Sequence, residues 1–281
     1  MAHLKQRFDL GYPFRVTPAL QTALFAAAAL AGACWILSLL TRDVSWVDRI
    51  WSLAPVGYVA WFAARARFVD ARLDLMLLLV AAWGLRLTYN FARKGGYRRG
   101  GEDYRWPILR QRLGPLNFHL FNASFIAPFQ NALLLGFTLP AWAALEHPAP
   151  LAPTDVVATA LFVAFLVGET IADQQQWRFQ EDKAQRRASQ RESAQPFLTS
   201  GLFRYSRHPN FFCEMGIWWS FYLFSVAGAG WLNATIGGVV ALTLLFQGST
   251  RMTEEVSRSK YPSYTEYQRT TSRLIPWLPR G

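Results

Sequence analysis

Long apolar runs dominate the pattern of hydrophobic and polar positions along the chain. Each run holds about 20 residues, the length that an α-helix needs to cross a hydrocarbon core of about 30 Å. The pattern predicts seven transmembrane helices, over residues 18–40, 44–64, 73–92, 120–144, 154–177, 211–230 and 232–249. The expected fold class is therefore all-α, a polytopic integral membrane protein that forms a single membrane domain over residues 1–281.

Positive charge is concentrated in polar segments between or after these runs. Residues 94–112, 178–207 and 251–281 hold 19 of the 29 Lys and Arg residues. With seven spans, all three segments lie on the same side of the membrane, and the positive-inside rule predicts that this side is the cytoplasmic one. The three arginines of residues 65–72 contradict this assignment.

The charge composition narrows the possible partners. The formal net charge is +11, but it lies in loops between apolar runs, so nucleic acid is not an expected partner. Arg outnumbers Lys by 25 to 4, which suits phosphate recognition and hints at a bacterial inner membrane. The four His lack metal-ligand spacing and no Cys-x-x-Cys occurs, so no metal site is predicted.

The most concentrated polar segment leads directly into the sixth apolar run. Tyr205, Arg207 and His208 precede Pro209, a residue that is well tolerated in the first turn of a helix. Helix N-termini attract anions because their amide donors are unsatisfied. We therefore predict a phosphate site here, at the membrane surface; the alternative is an ordinary cytoplasmic loop.

Two pairs of polar residues share helix faces within apolar surroundings. Asn210 and Glu214 are spaced i, i+4, and so are Glu169 and Asp173, with Arg178 five positions later. Carboxylates inside a bilayer are costly and usually functional. The alternative for the second pair is a buried bridge between an acid and an arginine.

Two further segments are weaker signals. The seventh run is followed by Arg251, Glu254 and Glu255. Their i, i+3 and i, i+4 spacing also suits ordinary ion pairs on the surface of a helix. Four glycines lie among the basic residues of 93–106, so that backbone amides could approach a phosphate. A flexible basic loop is the alternative.

Several of these motifs resemble those of a known superfamily. Residues 201–214, Gly-Leu-Phe-Arg-Tyr-Ser-Arg-His-Pro-Asn-Phe-Phe-Cys-Glu, closely resemble the C-terminal signature of steroid 5-alpha-reductase-like proteins, as do residues 169–179 and 251–267. Residues 83–86 and 102–106 look like a bacterial branch that is labelled only as a domain of unknown function.

The resemblance implies seven transmembrane helices and NADPH held by cytoplasmic loops and helix ends, mainly within residues 169–279. It places cofactor contacts on Asn210, Asp173, Arg178, Tyr205, Arg207, His208 and Arg251. We add Arg93 and Glu255 to this expected cofactor set.

The leading hypothesis is an NADPH-dependent reductase of a conjugated C=C bond, an enone, in a lipid or steroid-like substrate that enters from the bilayer. Negative charge would develop on the carbonyl oxygen, which calls for a hydrogen-bond donor. The candidate catalytic residues are Asp48, Arg86, Tyr89 and Glu214.

Two alternatives stay open. Isoprenylcysteine carboxyl methyltransferases, which use S-adenosylmethionine, share the Arg-His-Pro and Glu-Glu features of this sequence. A lipid-binding or transport protein without enzymatic activity would use the basic face to bind anionic headgroups of membrane lipids.

Overall fold

The computed structural model describes residues 16–189 and 196–279, and 76% of these described residues are helical. No strand occurs in these two stretches. Their α-helices are α1 (Pro18–Thr41), α2 (Trp46–Ile50), α3 (Ala54–Arg65), α4 (Ala71–Arg93), α5 (Arg105–Leu113), α6 (Pro115–Phe121), α7 (Gln130–Gly136), α8 (Leu139–Glu146), α9 (Pro153–Ala188), α10 (Pro209–Ala229), α11 (Ile236–Lys260) and α12 (Tyr264–Thr270).

Three of the described helices, α1, α4 and α9, are long and apolar enough to cross a membrane. The segment Pro115–Gly136 with Leu139–Glu146, bent by about 40°, becomes a fourth if it is one span. The described part of the chain is thus all-helical, with three to four helices long and apolar enough to cross a bilayer. The count of seven stays a prediction.

Prolines interrupt two of the predicted apolar runs. Residues 44–64 form α2 and α3 rather than one helix, with Pro55 in the first turn of α3. Residues 122–129 form a π-helix that contains Pro128. Proline lacks an N–H and crowds the preceding turn, so a continuous α-helical ladder cannot form through either position.

The chain divides into two compact units. The first unit comprises Met1–Thr159 and Phe221–Ala241, and the second comprises Ala160–Ser220 and Leu242–Gly281. Among the candidate residues, Asp48, Arg86, Tyr89 and Arg93 belong to the first unit. The other nine belong to the second unit.

A buried ion pair in the first unit accounts for one arginine of residues 65–72. Arg72 is 2% exposed, and its Nε and Nη2 donate to the Asp155 carboxylate at 2.7 and 2.9 Å. Its remaining donors reach the carbonyl oxygens of Ala149 and Pro150 at 2.9 and 2.7 Å. Arg72 is therefore neutralised inside the protein and does not act as a free loop charge.

The first unit also contains a close approach of two helix backbones, where α7 ends and α11 begins. A Cβ atom added to Gly238 would lie 2.1 Å from the backbone carbon and oxygen of Gly136. Gly237, the preceding residue, has no heavy atom within 4 Å of its Cβ position. Only the first of these two glycines is therefore required by packing.

We expect Gly238→Ala to lower the free energy of unfolding by about 1–3 kcal/mol, because the two backbones must separate to admit the methyl group. Gly237→Ala is the matched control and should leave stability unchanged or raise it by up to about 1 kcal/mol. Thermal melting of both purified variants measures the difference. Equal shifts would contradict the close approach.

Candidate functional site

The C-terminal tail of the second unit pairs with the loop that precedes α10. The backbone N–H groups of Arg207 and His208 donate to the carbonyl oxygens of Ser272 and Arg273 at 2.8 and 3.1 Å. Further along, the Trp277 N–H donates to the Tyr205 carbonyl oxygen at 2.9 Å. Residues 272–277 therefore fix the conformation of the predicted phosphate loop.

Arg207 is the centre of this arrangement. Its Nε and Nη2 donate to the two carboxylate oxygens of Glu254 at 2.6 and 3.1 Å, and both side chains are 8% exposed. Its Nη1 donates to the carbonyl oxygen of Gln268 at 3.0 Å and to that of Thr271. Arg207 thus joins α11, α12 and the tail, and this is a positioning role.

Glu254 collects hydrogen bonds from three side chains. Besides Arg207, it faces His208 Nε2 at 3.2 Å and accepts from Gln268 Nε2 at 2.9 Å. Burial alone would raise the pKa of Glu254, but these hydrogen bonds and the Arg207 charge outweigh it and lower the pKa to about 2. Glu254 is therefore a carboxylate at neutral pH, and it accepts hydrogen bonds from Arg207 and Gln268.

Glu255, and not Glu254, belongs to the cofactor set that was predicted from the sequence. Glu255 is exposed, whereas Glu254 is buried. Glu254 lies one helical turn after Thr250, which is also fully buried, so both residues are on the buried face of α11. The partners of Glu254, at positions 207 and 268, are too distant in sequence to be inferred from spacing.

Besides Glu255, three predicted cofactor residues are exposed in the second unit. Arg178 on α9 and Arg251 on α11 point outward, and Tyr205 is 38% exposed. Neither Arg178 nor Arg251 makes a hydrogen bond or ion pair within residues 16–189 and 196–279. These two guanidinium groups are therefore available to an anionic ligand, in contrast to Arg207.

The two predicted polar helix faces lie at packed positions of α9 and α10. Glu169, Asp173 and Glu214 are each about 95% buried, and Asn210 is half-buried. A Cβ atom on Gly168 would lie 2.9 Å from Cys213 Sγ, so the turn that carries Glu169 packs against the turn that carries Glu214.

Glu214 is oriented by its own helix. Its Oε1 accepts a hydrogen bond from Trp218 Nε1 at 3.0 Å, one turn further along α10. This bond restricts the rotamer of a carboxyl group that is buried in an otherwise apolar helix.

A cavity of about 420 Å³ lies beside the tail. Arg207, Arg269 and Arg273 are among its polar lining residues, and Ile275, Trp277 and Leu278 form its apolar lining. Such a lining can accept a ligand that combines an anionic group with an apolar part.

In the first unit, Asp48 is held by the first turn of α5. Trp106 Nε1 donates to Asp48 Oδ2 at 2.9 Å. The neighbouring Arg105 pairs with Asp103 at 2.8 Å. Asp48 is therefore an oriented carboxyl group and does not pair locally with Arg49, which binds Asp43 at 2.6 Å.

The three α4 candidates lie along the C-terminal half of that helix. Arg86 is half-buried, whereas Tyr89 is 65% exposed. Arg93 stacks over the Tyr89 ring at 5.4 Å and donates to Asn90 Oδ1 at 2.7 and 2.9 Å. The Arg93 guanidinium is thus partly engaged within its own helix.

The glycine-rich segment after α4 forms a compact turn. The amides of Gly95 and Gly96 donate to carbonyl oxygens in the last turn of α4, and the amide of Gly101 donates to the carbonyl oxygen of Arg98. Gly95 has φ +84°, and a Cβ on Gly101 would lie 2.3 Å from the Gly95 oxygen. The interpretation of these glycines as a phosphate cradle is therefore wrong for three of the four amides, because the turn itself uses them.

Within residues 16–189 and 196–279, no group of three or more His, Cys, Asp or Glu side chains is arranged to hold a metal ion.

A family of known sequences matches most of the chain, including the candidate residues of both units. The model of a family described as "Protein of unknown function (DUF1295)" matches residues 34–271. The chain is 37% identical to an uncharacterized protein of the fission yeast Schizosaccharomyces pombe over 273 residues, which cover 91% of this chain and 79% of the yeast protein. No solved structure matches the chain.

Proposed function

Because the chain belongs to the DUF1295 family, whose description assigns no activity, we propose a function from its own residues. We infer that it is a membrane-embedded, NADPH-dependent reductase of a conjugated C=C bond in a lipid or steroid-like substrate. Membership of the steroid 5-alpha-reductase-like superfamily, a bundle of seven transmembrane helices and a place in a bacterial inner membrane are parts of this proposal.

One observation carries the proposal: the second unit combines a fixed loop with free cations. Glu254 and the tail hold the Arg207 loop from which α10 begins. Arg178 and Arg251 are exposed and bind no described residue. Guanidinium groups and helix N-termini are the usual partners of phosphate, so this donor set fits the phosphates of NADPH.

The fit extends to the polar groups near the same helix start. Asn210 occupies the first turn of α10, where its amide can both donate and accept hydrogen bonds. Glu214, one turn deeper, is buried and oriented by Trp218. We propose that these two residues lie on the path by which the reactive end of the cofactor reaches the bilayer interior.

NADPH, when bound, would supply a hydride to the β carbon of the enone. The residues of this chain would then have to stabilise the negative charge on the carbonyl oxygen, which requires a hydrogen-bond donor in a dry site. Asp48 in its protonated form, Arg86 and Tyr89 are the proposed donors. The Trp106 hydrogen bond already fixes the direction of the Asp48 carboxyl group.

The proposal is tested by equilibrium binding of NADPH to the purified protein in lipid nanodiscs. We expect saturable binding that Arg178→Ala and Arg251→Ala each weaken about tenfold or more, because a charge-assisted hydrogen bond to phosphate is lost. Arg258→Ala, at an exposed arginine further along α11, is the matched control and should bind normally. Arg207→Ala is less informative because Arg207 holds the tail.

The same assay separates the other two hypotheses. Binding of S-adenosylmethionine without binding of NADPH would favour the methyltransferase and overturn the reductase. Complete competition by anionic lipid vesicles would favour a lipid-binding protein. If NADPH binds the Arg178 and Arg251 variants as tightly as the unmodified protein, the proposed phosphate site is wrong.

A further inference from the structure

The C-terminal tail of the second unit has four consecutive apolar residues on its surface. Leu274 is buried, and the exposed residues that follow it are Ile275, Pro276, Trp277 and Leu278. The three large side chains among these four are 68%, 70% and 72% exposed. Isolated apolar residues are common on protein surfaces, but a contiguous apolar patch usually marks a site that contacts a membrane or another molecule.

This apolar patch has a defined conformation, because the tail is bonded to the loop that precedes α10. The Trp277 N–H donates to the Tyr205 carbonyl oxygen at 2.9 Å. The Ser206 hydroxyl donates to the Leu274 carbonyl oxygen at 2.8 Å. These two bonds lie on either side of Ile275, so the apolar side chains project from a fixed backbone and not from a free chain end.

The same loop indicates the depth of the tail relative to a bilayer. The Leu202 N–H donates to Gln175 Oε1 of α9 at 2.9 Å, and only the 3-10 turn Gly201–Arg204 leads from this contact to Tyr205. Gln175 lies in the polar segment 173–178 that follows the apolar run of α9, a helix long and apolar enough to cross a membrane. The tail therefore lies near the level at which α9 would leave the bilayer.

Two arginines with available donors border the apolar patch. Arg269 and Arg273 line the cavity of about 420 Å³ beside the tail, together with the three large apolar side chains; we call it the tail cavity. The Arg269 side chain is 77% exposed and approaches Glu266 at 3.4 Å, and Arg273 uses Nη2 in a hydrogen bond to Gln247. A guanidinium group has five donors, so both arginines can still bind an anion. Arg207, which also lines the tail cavity, is instead occupied by a carboxylate and two carbonyl oxygens of the protein.

We propose that the tail cavity binds an anionic phospholipid of the leaflet that the tail faces. The lipid phosphate would pair with Arg269 and Arg273, and the acyl chains would lie along Ile275, Trp277 and Leu278. Tryptophan is enriched at this depth of membrane proteins because its ring is amphipathic. A free phosphate would leave the apolar patch uncovered, whereas a phospholipid matches both the charge and the apolar surface. The site does not depend on the reductase proposal, since it uses neither arginine proposed to bind NADPH.

Lipid selectivity is tested by native mass spectrometry of the full chain in detergent, titrated with phosphatidylglycerol and with phosphatidylcholine of identical acyl chains. We expect phosphatidylglycerol to bind more tightly, because the choline cation opposes the two arginines. Arg269→Ala should weaken phosphatidylglycerol binding about tenfold, since a charge-assisted hydrogen bond is lost, and should weaken phosphatidylcholine binding less. Arg258→Ala, at an exposed arginine of α11 outside the tail cavity, is the matched control and should leave both affinities unchanged.

The depth of the tail is tested with a fluorescent label in nanodiscs. A nitrobenzoxadiazole label attached at Leu278→Cys, with Cys34 and Cys213 replaced by Ala, should be quenched by phospholipids that carry a nitroxide near the headgroup end of an acyl chain. The same label at Arg187→Cys is the control. Arg187 is exposed on α9, about 18 Å beyond Gln175 at 1.5 Å per residue, so its label should stay in water and escape quenching.

Three results would overturn the lipid site. The first is equal affinity of the unmodified protein for the two lipids, or equal effects of Arg269→Ala and Arg258→Ala. The second is equal quenching of the labels at positions 278 and 187. The third is full displacement of phosphatidylglycerol by NADPH, which would assign the tail cavity to the nucleotide. NADPH binding by Arg269→Ala, measured separately in the absence of anionic lipid, reports on the reductase proposal alone.

Discussion

Replacing Arg72 with alanine is expected to lower the free energy of unfolding by about 3–5 kcal/mol, because it leaves a buried carboxylate without its counter-charge. Asp155 is 3% exposed and accepts two hydrogen bonds from Arg72. The carbonyl oxygens of Ala149 and Pro150 would also lose their donors. Chemical or thermal unfolding of the purified variant measures the loss.

An exposed pair is the control for this prediction. Arg269 and Glu266 are 77% and 67% exposed and approach to 3.4 Å, so Arg269→Ala should cost about 0–1 kcal/mol at most. The double variant Arg72→Met with Asp155→Leu should recover much of the loss, because neither charge then remains buried. Equal effects of Arg72→Ala and Arg269→Ala would show that the buried pair is not a stabilising contact.

Arg72 also shows what a charge count along the sequence can and cannot predict. The positive-inside rule marked residues 65–72 as anomalous, since that rule counts loop arginines as solvent-exposed. The partner that neutralises one of these three arginines, Asp155, lies 83 positions away from Arg72 on α9. Such a pairing depends on tertiary packing and leaves no local signature in the sequence.

Helix positions were predictable where apolar runs are uninterrupted. The predicted runs 18–40 and 73–92 became Pro18–Thr41 and Ala71–Arg93, because continuous burial or lipid contact selects a continuous helix. Runs that contain Pro55 or Pro128 were predicted as single helices, although their prolines were visible. Hydrophobicity sets which segment is buried, whereas proline decides whether its hydrogen-bond ladder is continuous.

The candidate site was predictable at the level of segments and not of individual roles. The segment that contains Arg207 and His208 is structured as a defined loop before α10. The sequence could not reveal that Arg207 binds Glu254 and backbone carbonyls, since those partners come from α11, α12 and the tail. The exposed Arg178 and Arg251 are accordingly stronger candidates for phosphate contacts.

Removal of the Glu254 side chain is the second change with a large expected effect. Glu254→Ala would leave the Arg207 guanidinium buried without its counter-charge, which typically costs about 3–5 kcal/mol. It would also release Gln268 of α12, so the tail should become accessible to trypsin at Arg273. Unfolding measurements and limited proteolysis of the full chain report both effects.

The neighbouring glutamate supplies the matched control for this change. Glu255 is on the same helix and exposed, so Glu255→Ala should change stability by no more than about 0.5 kcal/mol and leave the tail protected. If both alanine variants behave alike, Arg207 does not depend on Glu254 for its position.

The Glu254 carboxylate should also make stability depend on pH in a defined window. Its pKa is lowered from 4.5 to about 2 in the folded protein, so between these values the unfolded chain binds the additional proton. The stabilisation, about 3 kcal/mol, is complete above pH 4.5 and is lost as the pH falls towards 2. Glu254→Gln, which keeps the shape of the side chain but cannot titrate, should remove this part of the pH dependence. A variant with an unchanged acid unfolding profile would locate the acid sensitivity in another carboxylate and refute the lowered pKa.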